Sequence, residues 1–122
     1  MEKPKIGQIM WHDLTVPDAT AVSEFYKKVV GWDIEALSMG AYDDYCMKAE
    51  NGDTVSGVCH ARGSNANIPP QWIMYVTVAD LDESLKQCIA EGGKLIGEKR
   101  KMGEGFYCLI QDPAGAYMML CG

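Results

Sequence analysis

The sequence predicts an α+β fold of two tandem βαβββ modules, with eight strands and two main helices in a single domain of 122 residues. Three observations carry that expectation. The stretch "TVPD" at 15–18 recurs as "TVAD" at 77–80, and the same spacing superposes Gly31 on Gly93. A helical stripe of apolar residues follows each copy, and three short strand-like runs follow each helix. Repetition of both the motif and the order of elements is how an internal duplication shows itself after side chains have diverged.

Module one covers 1–60. An apolar stretch from Ile6 to Val16, rich in β-formers, reads as the first strand and runs into Pro17-Asp18. Asp18 can accept from the free amides of a first helical turn, so a helix starts there. Val22, Phe25, Tyr26, Val29 and Val30 fall at i, i+3, i+4, i+7 and i+8 and predict its buried stripe. Gly31 ends the pattern where a left-handed residue is usually needed. Strands are expected at 32–37, 42–49 and 54–60, separated by "SMG" and "NGD" turns.

Module two covers 71–122 and repeats the order. A strand at 72–78 precedes a helix from about Leu81 to Glu91 with Leu85, Cys88 and Ile89 as its buried stripe. Strands near 94–99, 105–111 and 116–121 follow. The intervening "ARGSNANIPP" at 61–70 can continue neither pattern and reads as a linker.

Composition narrows the function classes. Eleven basic residues stand against seventeen acidic ones, a formal charge of −6, so a polyanion would meet general repulsion and nucleic acid is not an expected partner. The basic run "EKRK" at 98–101 is flanked by Glu104 and reads as a solvated strand end or turn. No apolar run is long enough to span a bilayer, and "MEKPKIGQIMW" lacks a signal-peptide pattern; no membrane partner and a cytoplasmic location are expected. Cys46, Cys59, Cys88, Cys108 and Cys121 are odd in number and contain no CxxC pair. They read as reduced, mostly buried thiols rather than a disulfide framework or zinc site.

Two modules of this kind, with "WHDLTVPDATAVSEFYKKVVGW" opening the first and "DPAGAYMML" closing the second, resemble the vicinal oxygen chelate superfamily. That superfamily groups glyoxalase I, bleomycin-resistance proteins and extradiol dioxygenases, and the resemblance spans the whole chain. The pairs FY at 25–26 and GW at 31–32, with DPxG at 112–115, carry it. It implies a sheet curled into a half-open barrel, a ligand held inside the resulting cup, and a homodimer.

The resemblance also implies where a metal would sit: seven residues before each strand-helix Asp, and near the end of the last strand of each module. Those positions read Trp11, Ile73 and Met119, with Ser56, Gly57 or Val58 at the fourth, depending on register. Indole, sec-butyl and thioether groups cannot replace oxygen and nitrogen donors for Zn, Mg, Mn or Fe(II). Neither a metal nor another cofactor is expected.

Strand parity assigns the remaining residues. Along the first strand Trp11, Asp13 and Thr15 share one face, while His12, Leu14 and Val16 share the face that meets the helix. His12 is therefore expected in the core beside a hydrogen-bond partner. Trp11, Thr15, Tyr75, Thr77, Tyr117 and Met119 are expected to line the cup, joined by Tyr107 and Gln111 if the register of the seventh strand allows. His60, at a strand end, is read as a surface residue or a contact at the cup rim. Adjacent Cys59 and His60 point to opposite faces and cannot form an activated pair.

The expected function is therefore metal-free binding of a small, mostly apolar or aromatic compound. The alternative is a lyase, isomerase or dioxygenase-type enzyme of the same superfamily, with a non-standard metal site or with Asp13 as general base. A regulatory dimer with an occluded cup is the third reading.

Overall fold

The computed structural model describes residues 5–122. The elements are β1 (Ile9–Val16), α1 (Ala19–Val30), β2 (Asp33–Ser38), β3 (Asp43–Lys48), β4 (Thr54–His60), β5 (Trp72–Thr77), α2 (Leu81–Ala90), β6 (Lys94–Met102), β7 (Gly105–Gln111) and β8 (Tyr117–Cys121). Among the described residues the fold is α+β, with eight strands in mixed pairing and two α-helices, as the repeat predicts. Among the described residues, the 61–70 linker carries a single 3-10 turn at Gly63–Asn65.

Two compact units form, and the division does not follow the module boundary. One is His12–Trp72; the other joins Ile73–Gly122 to the described residues 5–11. The reason is hydrogen bonding: Gly7 N–H donates to the Thr77 carbonyl at 2.7 Å, and Thr77 N–H donates to the Gln8 carbonyl at 3.0 Å. Gly7 and Gln8 thus find their hydrogen-bond partner in Thr77, the last residue of β5.

Within His12–Trp72 the strand order is β2-β3-β4-β1, with β1 and β4 parallel and the other pairs antiparallel. In the second unit the order is β5-β8-β7-β6, with β5 and β8 parallel. Both halves realise the same order, with β4 or β8 returning beside the strand that opens its half.

Both helices begin as expected. Asp18 Oδ1 accepts from Ala21 N–H at 3.1 Å, and Asp80 Oδ1 accepts from Glu83 N–H at 3.1 Å. Gly31 closes α1 in the left-handed region, φ 88°. The buried stripe of α1, however, differs from the predicted one. Ala19 and Ser23 are buried and Val22 and Tyr26 pack on the core, whereas Phe25, Val29 and Val30 stand in solvent, Val29 at 64% exposure. Small side chains let the helix backbone approach the sheet, so the contact centres on them rather than on the bulkiest stripe. Ser23 is tolerated there because its hydroxyl donates to the Thr20 carbonyl at 2.8 Å. In α2, Leu81 is buried and Leu85 packs on the core, but Ile89 is exposed, again against expectation.

One core forms under each helix. Leu14, Val16, Ala19, Met47 and Val58 make the first, and Leu81, Cys108 and Leu120 the second. The run at 98–101 lies inside β6, which continues to Met102 past a register shift between Ile96 and Arg100. It is a solvated strand segment, in which Lys99 pairs with Asp82 at 2.8 Å.

Candidate functional site

The sheet face away from α2 gathers the predicted residues of module two. Register places Tyr75 beside Met119 and Thr77 beside Cys121; across the next pair, Tyr107 lies beside Cys121, Leu109 beside Met119, and Gln111 beside Tyr117. Directly paired residues share a face, so Tyr75, Thr77, Tyr107, Gln111, Tyr117 and Met119 stand together. The register of the seventh strand, left open by the sequence, is settled by these pairs. The Tyr75 and Tyr107 ring centroids are 6.4 Å apart, and the Arg100 guanidinium lies 6.0 Å from the Tyr107 centroid.

A cavity of about 490 Å³ opens in this unit, with Met10, Thr77, Met102, Glu104, Phe106 and Cys121 among its walls. Thr77 Oγ1 is buried and has no hydrogen-bond partner. A buried hydroxyl left unpaired costs on the order of 1–3 kcal/mol, so it is an open donor and acceptor beside an apolar wall.

The face away from α1 in His12–Trp72 has a different chemistry. Asp13 pairs with Gly57 and Thr15 with Cys59, while Cys46 lies on the other side of Gly57 and Glu35 beyond Cys46. Thr15 is buried and Asp13 half-buried. Burial, then the Asp13 and Asp44 carboxylates and a hydrogen bond to Asp44, push the Cys59 thiol far up. Cys46 is raised by burial and by Glu35. Both thiols are therefore held protonated and unreactive at neutral pH. Strand alternation alone could not find this acid-and-thiol face, because it needs the register of β1, β3 and β4 together.

The two histidines lie elsewhere. His12 is on the helix-bearing face, as parity predicts, but it is exposed rather than a core residue. The core on that face is built from Leu14 and Val16, and His12 instead borders a cleft with Trp32, Val55, Ser56 and Trp72. His60 pairs with Val16 and so sits on the face opposite Asp13 and Thr15. Its Nδ1 is 2.8 Å from the Asp43 carbonyl, and its ring meets those of Tyr42 and Tyr45. That placement separates it from the cup-lining set to which it was assigned as a rim contact. Trp11 is half-buried in β1.

The residues at the superfamily's metal positions do not fit a metal. Ile73 and Met119 are each 2% exposed and offer no hard donor. Ser56 and Val58 are buried on the helix side, and Gly57 has no side chain. Among the described residues no three His, Cys, Asp or Glu side chains cluster as a ligand set.

Two βαβββ halves, each with its helix on one face of the sheet, are the architecture of the glyoxalase, bleomycin-resistance and dioxygenase superfamily. More particularly, residues 10–121 match the model of the glyoxalase-like domain, and the chain belongs to that family. It is 29% identical over 113 residues to CFP32 of Mycobacterium bovis, which carries a provisional glyoxylase name; the match covers 90% of this chain and 43% of CFP32. It is 27% identical to the anthracycline biosynthesis protein DnrV of Streptomyces peucetius, over 90% of this chain and 45% of DnrV. The chain thus spans less than half the length of these relatives. Glyoxalase I from Zea mays shares the fold at a TM-score of 0.63 with 17% identity, over 96% of this chain and 43% of that one.

Proposed function

We propose that this chain binds a small, mostly apolar or aromatic compound without a metal ion, on the helix-free face of β5, β7 and β8. The observation that carries the reading is the cavity of about 490 Å³ beside the unpartnered Thr77 hydroxyl. Its volume lies within the range of roughly 300–1,000 Å³ usual for ligand sites, and its thioether and aromatic walls, with the Thr77 hydroxyl and the Glu104 carboxylate as the polar groups, suit a mostly apolar ligand that offers one or two hydrogen-bonding groups. Tyr75, Tyr107, Tyr117 and Met119 share the sheet face of Thr77 and Cys121, two residues of the cavity wall. Trp11, which belongs to the same compact unit, is part of the proposal as an expected contact, whereas Thr15 lies in His12–Trp72.

Thermal denaturation against a panel of neutral aromatic and aliphatic compounds, in EDTA, tests the reading. A ligand at about a hundred times its Kd stabilises by about 2.7 kcal/mol, which raises the Tm by several degrees. Thr77→Val is expected to leave the free protein as stable or slightly more so, since an orphan hydroxyl is removed, while weakening the ligand about 3- to 10-fold. Stabilisation seen only with Zn, Ni, Mn or Mg present, and abolished by EDTA, overturns the metal-free reading.

A second reading, an enzyme with Asp13 as general base, is favoured by the half-buried position of Asp13 beside Thr15 and Cys59 and by the glyoxylase name of one relative. Turnover of a bound carbonyl compound that disappears in Asp13→Asn would establish it. We propose a homodimer as well, supported by the exposed apolar side chains of Phe25, Val29 and Val30 on α1.

A further inference from the structure

The cleft beside His12 is separate from the face proposed above and has its own unfinished chemistry. It lies entirely within His12–Trp72, on the helix-bearing side, with a volume of about 230 Å³. Trp32 and Trp72 form two of its walls, with ring centroids 5.9 Å apart and planes at 74°. Tyr26 holds them: its hydroxyl accepts from Trp72 Nε1–H at 3.1 Å, and its ring lies 5.2 Å from Trp72 and 6.1 Å from Trp32. The indoles are thus fixed before any ligand arrives, which spares the ordering cost of binding.

Ser56, on β4, completes the wall. It is 3% exposed, and its Oγ has no hydrogen-bond partner. Buried hydroxyls are almost always paired, so this one has spare capacity to give or accept a hydrogen bond at the cleft. His12 borders the open side with an exposed ring. The five lining residues include no Lys, Arg, Asp or Glu, so a charged ligand would be left without a counter-charge.

We propose that this cleft is a second binding site, for a neutral planar aromatic molecule of one or two fused rings that bears one hydrogen-bonding substituent. The ring packs against Trp32 and Trp72, and the substituent pairs with Ser56 Oγ. Size sets the limit: an apolar cavity of about 150 Å³ holds benzene, so the larger cleft admits a bicyclic ring but not an extended polycycle. Aromatic stacking and one hydrogen bond make this a weak, size-selective site.

The test uses 2-naphthol and naphthalene as probes, read by the indole Nε1–H signals of Trp11, Trp32 and Trp72 in a ¹H–¹⁵N NMR titration, each signal assigned by a Trp→Phe variant. The expected result is a saturable shift of the Trp32 and Trp72 signals by 2-naphthol, at concentrations up to about 1 mM. Ser56→Ala should weaken 2-naphthol about 3- to 10-fold and leave naphthalene unchanged. Val55→Phe, which fills the cleft from an exposed strand position, should abolish both shifts without unfolding the chain. Absence of any saturable shift at Trp32 and Trp72 overturns the proposal, as does an equal loss of both probes in Ser56→Ala. Neither outcome bears on the face of β5, β7 and β8, whose occupancy is read through Thr77→Val.

Discussion

Met47 and Val58 have no exposed surface at all, and each contacts a helix-side core made of side chains from β1, α1, β3 and β4. Truncating Met47 to Ala leaves a void that a close-packed interior cannot collapse fully, so a loss of about 2–5 kcal/mol is expected in urea denaturation. Ile89→Ser, on the outer side of α2, should change stability by less than about 0.5 kcal/mol, although the sequence assigns Ile89 to the buried stripe. Site residues divide in the same way. The shared face of Tyr75, Thr77, Tyr117 and Met119 follows from alternation within two strands and was legible. Tyr107 and Gln111 needed the β7–β8 register, and the orphan state of Thr77 Oγ1 needed every neighbouring side chain.

At the scale of an element, the repeat places Gly31 and Gly93 at the same position, yet they are glycines for different reasons. Gly31 stands at φ 88° with open space around the position a Cβ would occupy. Gly93 has no such dihedral constraint, but a Cβ there would lie 2.6 Å from Cys88 Sγ and 2.9 Å from the Gln111 carbonyl. Both alanine variants should destabilise, Gly31→Ala by about 1 kcal/mol from backbone strain and Gly93→Ala by about 1–3 kcal/mol from crowding. Adding Cys88→Ala should rescue part of the second loss and none of the first, as measured in a double-mutant cycle. The caps were readable because Asp and Gly act within one turn of chain. The stripe of α1 was not, because two helical stripes of that sequence satisfy the same period. What selected Ala19, Val22, Ser23 and Tyr26 was how closely the backbone can approach the sheet.

For the whole molecule, the thiols set an alkaline limit. Burial pushes Cys108 up to about 11 from an ordinary value near 9.0, and Cys59 higher still. A group whose folded value is raised stabilises fully below its unfolded value and loses that contribution as pH rises through the folded one. The thiols' contribution to stability should therefore be level below about pH 9 and fall as pH rises past it, with Cys108→Ala making the fall between about pH 9 and pH 11 less steep while the part due to Cys59 remains. Denaturation midpoints at several pH values check it. At the same scale, sedimentation should report about twice the 13.4 kDa chain mass if the proposed homodimer forms, and Val29→Lys should return it to the monomer mass.

The sequence by itself determined the two βαβββ halves, the helix starts and stops, the family, and the absence of hard donors at Trp11, Ile73 and Met119, because each depends on residue identity and on spacing along the chain. Tertiary structure alone decided that Gly7 and Gln8 join β5, that His12 is exposed while sharing a face with a buried core, and that His60 lies away from Asp13. Those outcomes turn on which surfaces a neighbouring element covers, and coverage is a property of packed elements in space rather than of any one segment's pattern.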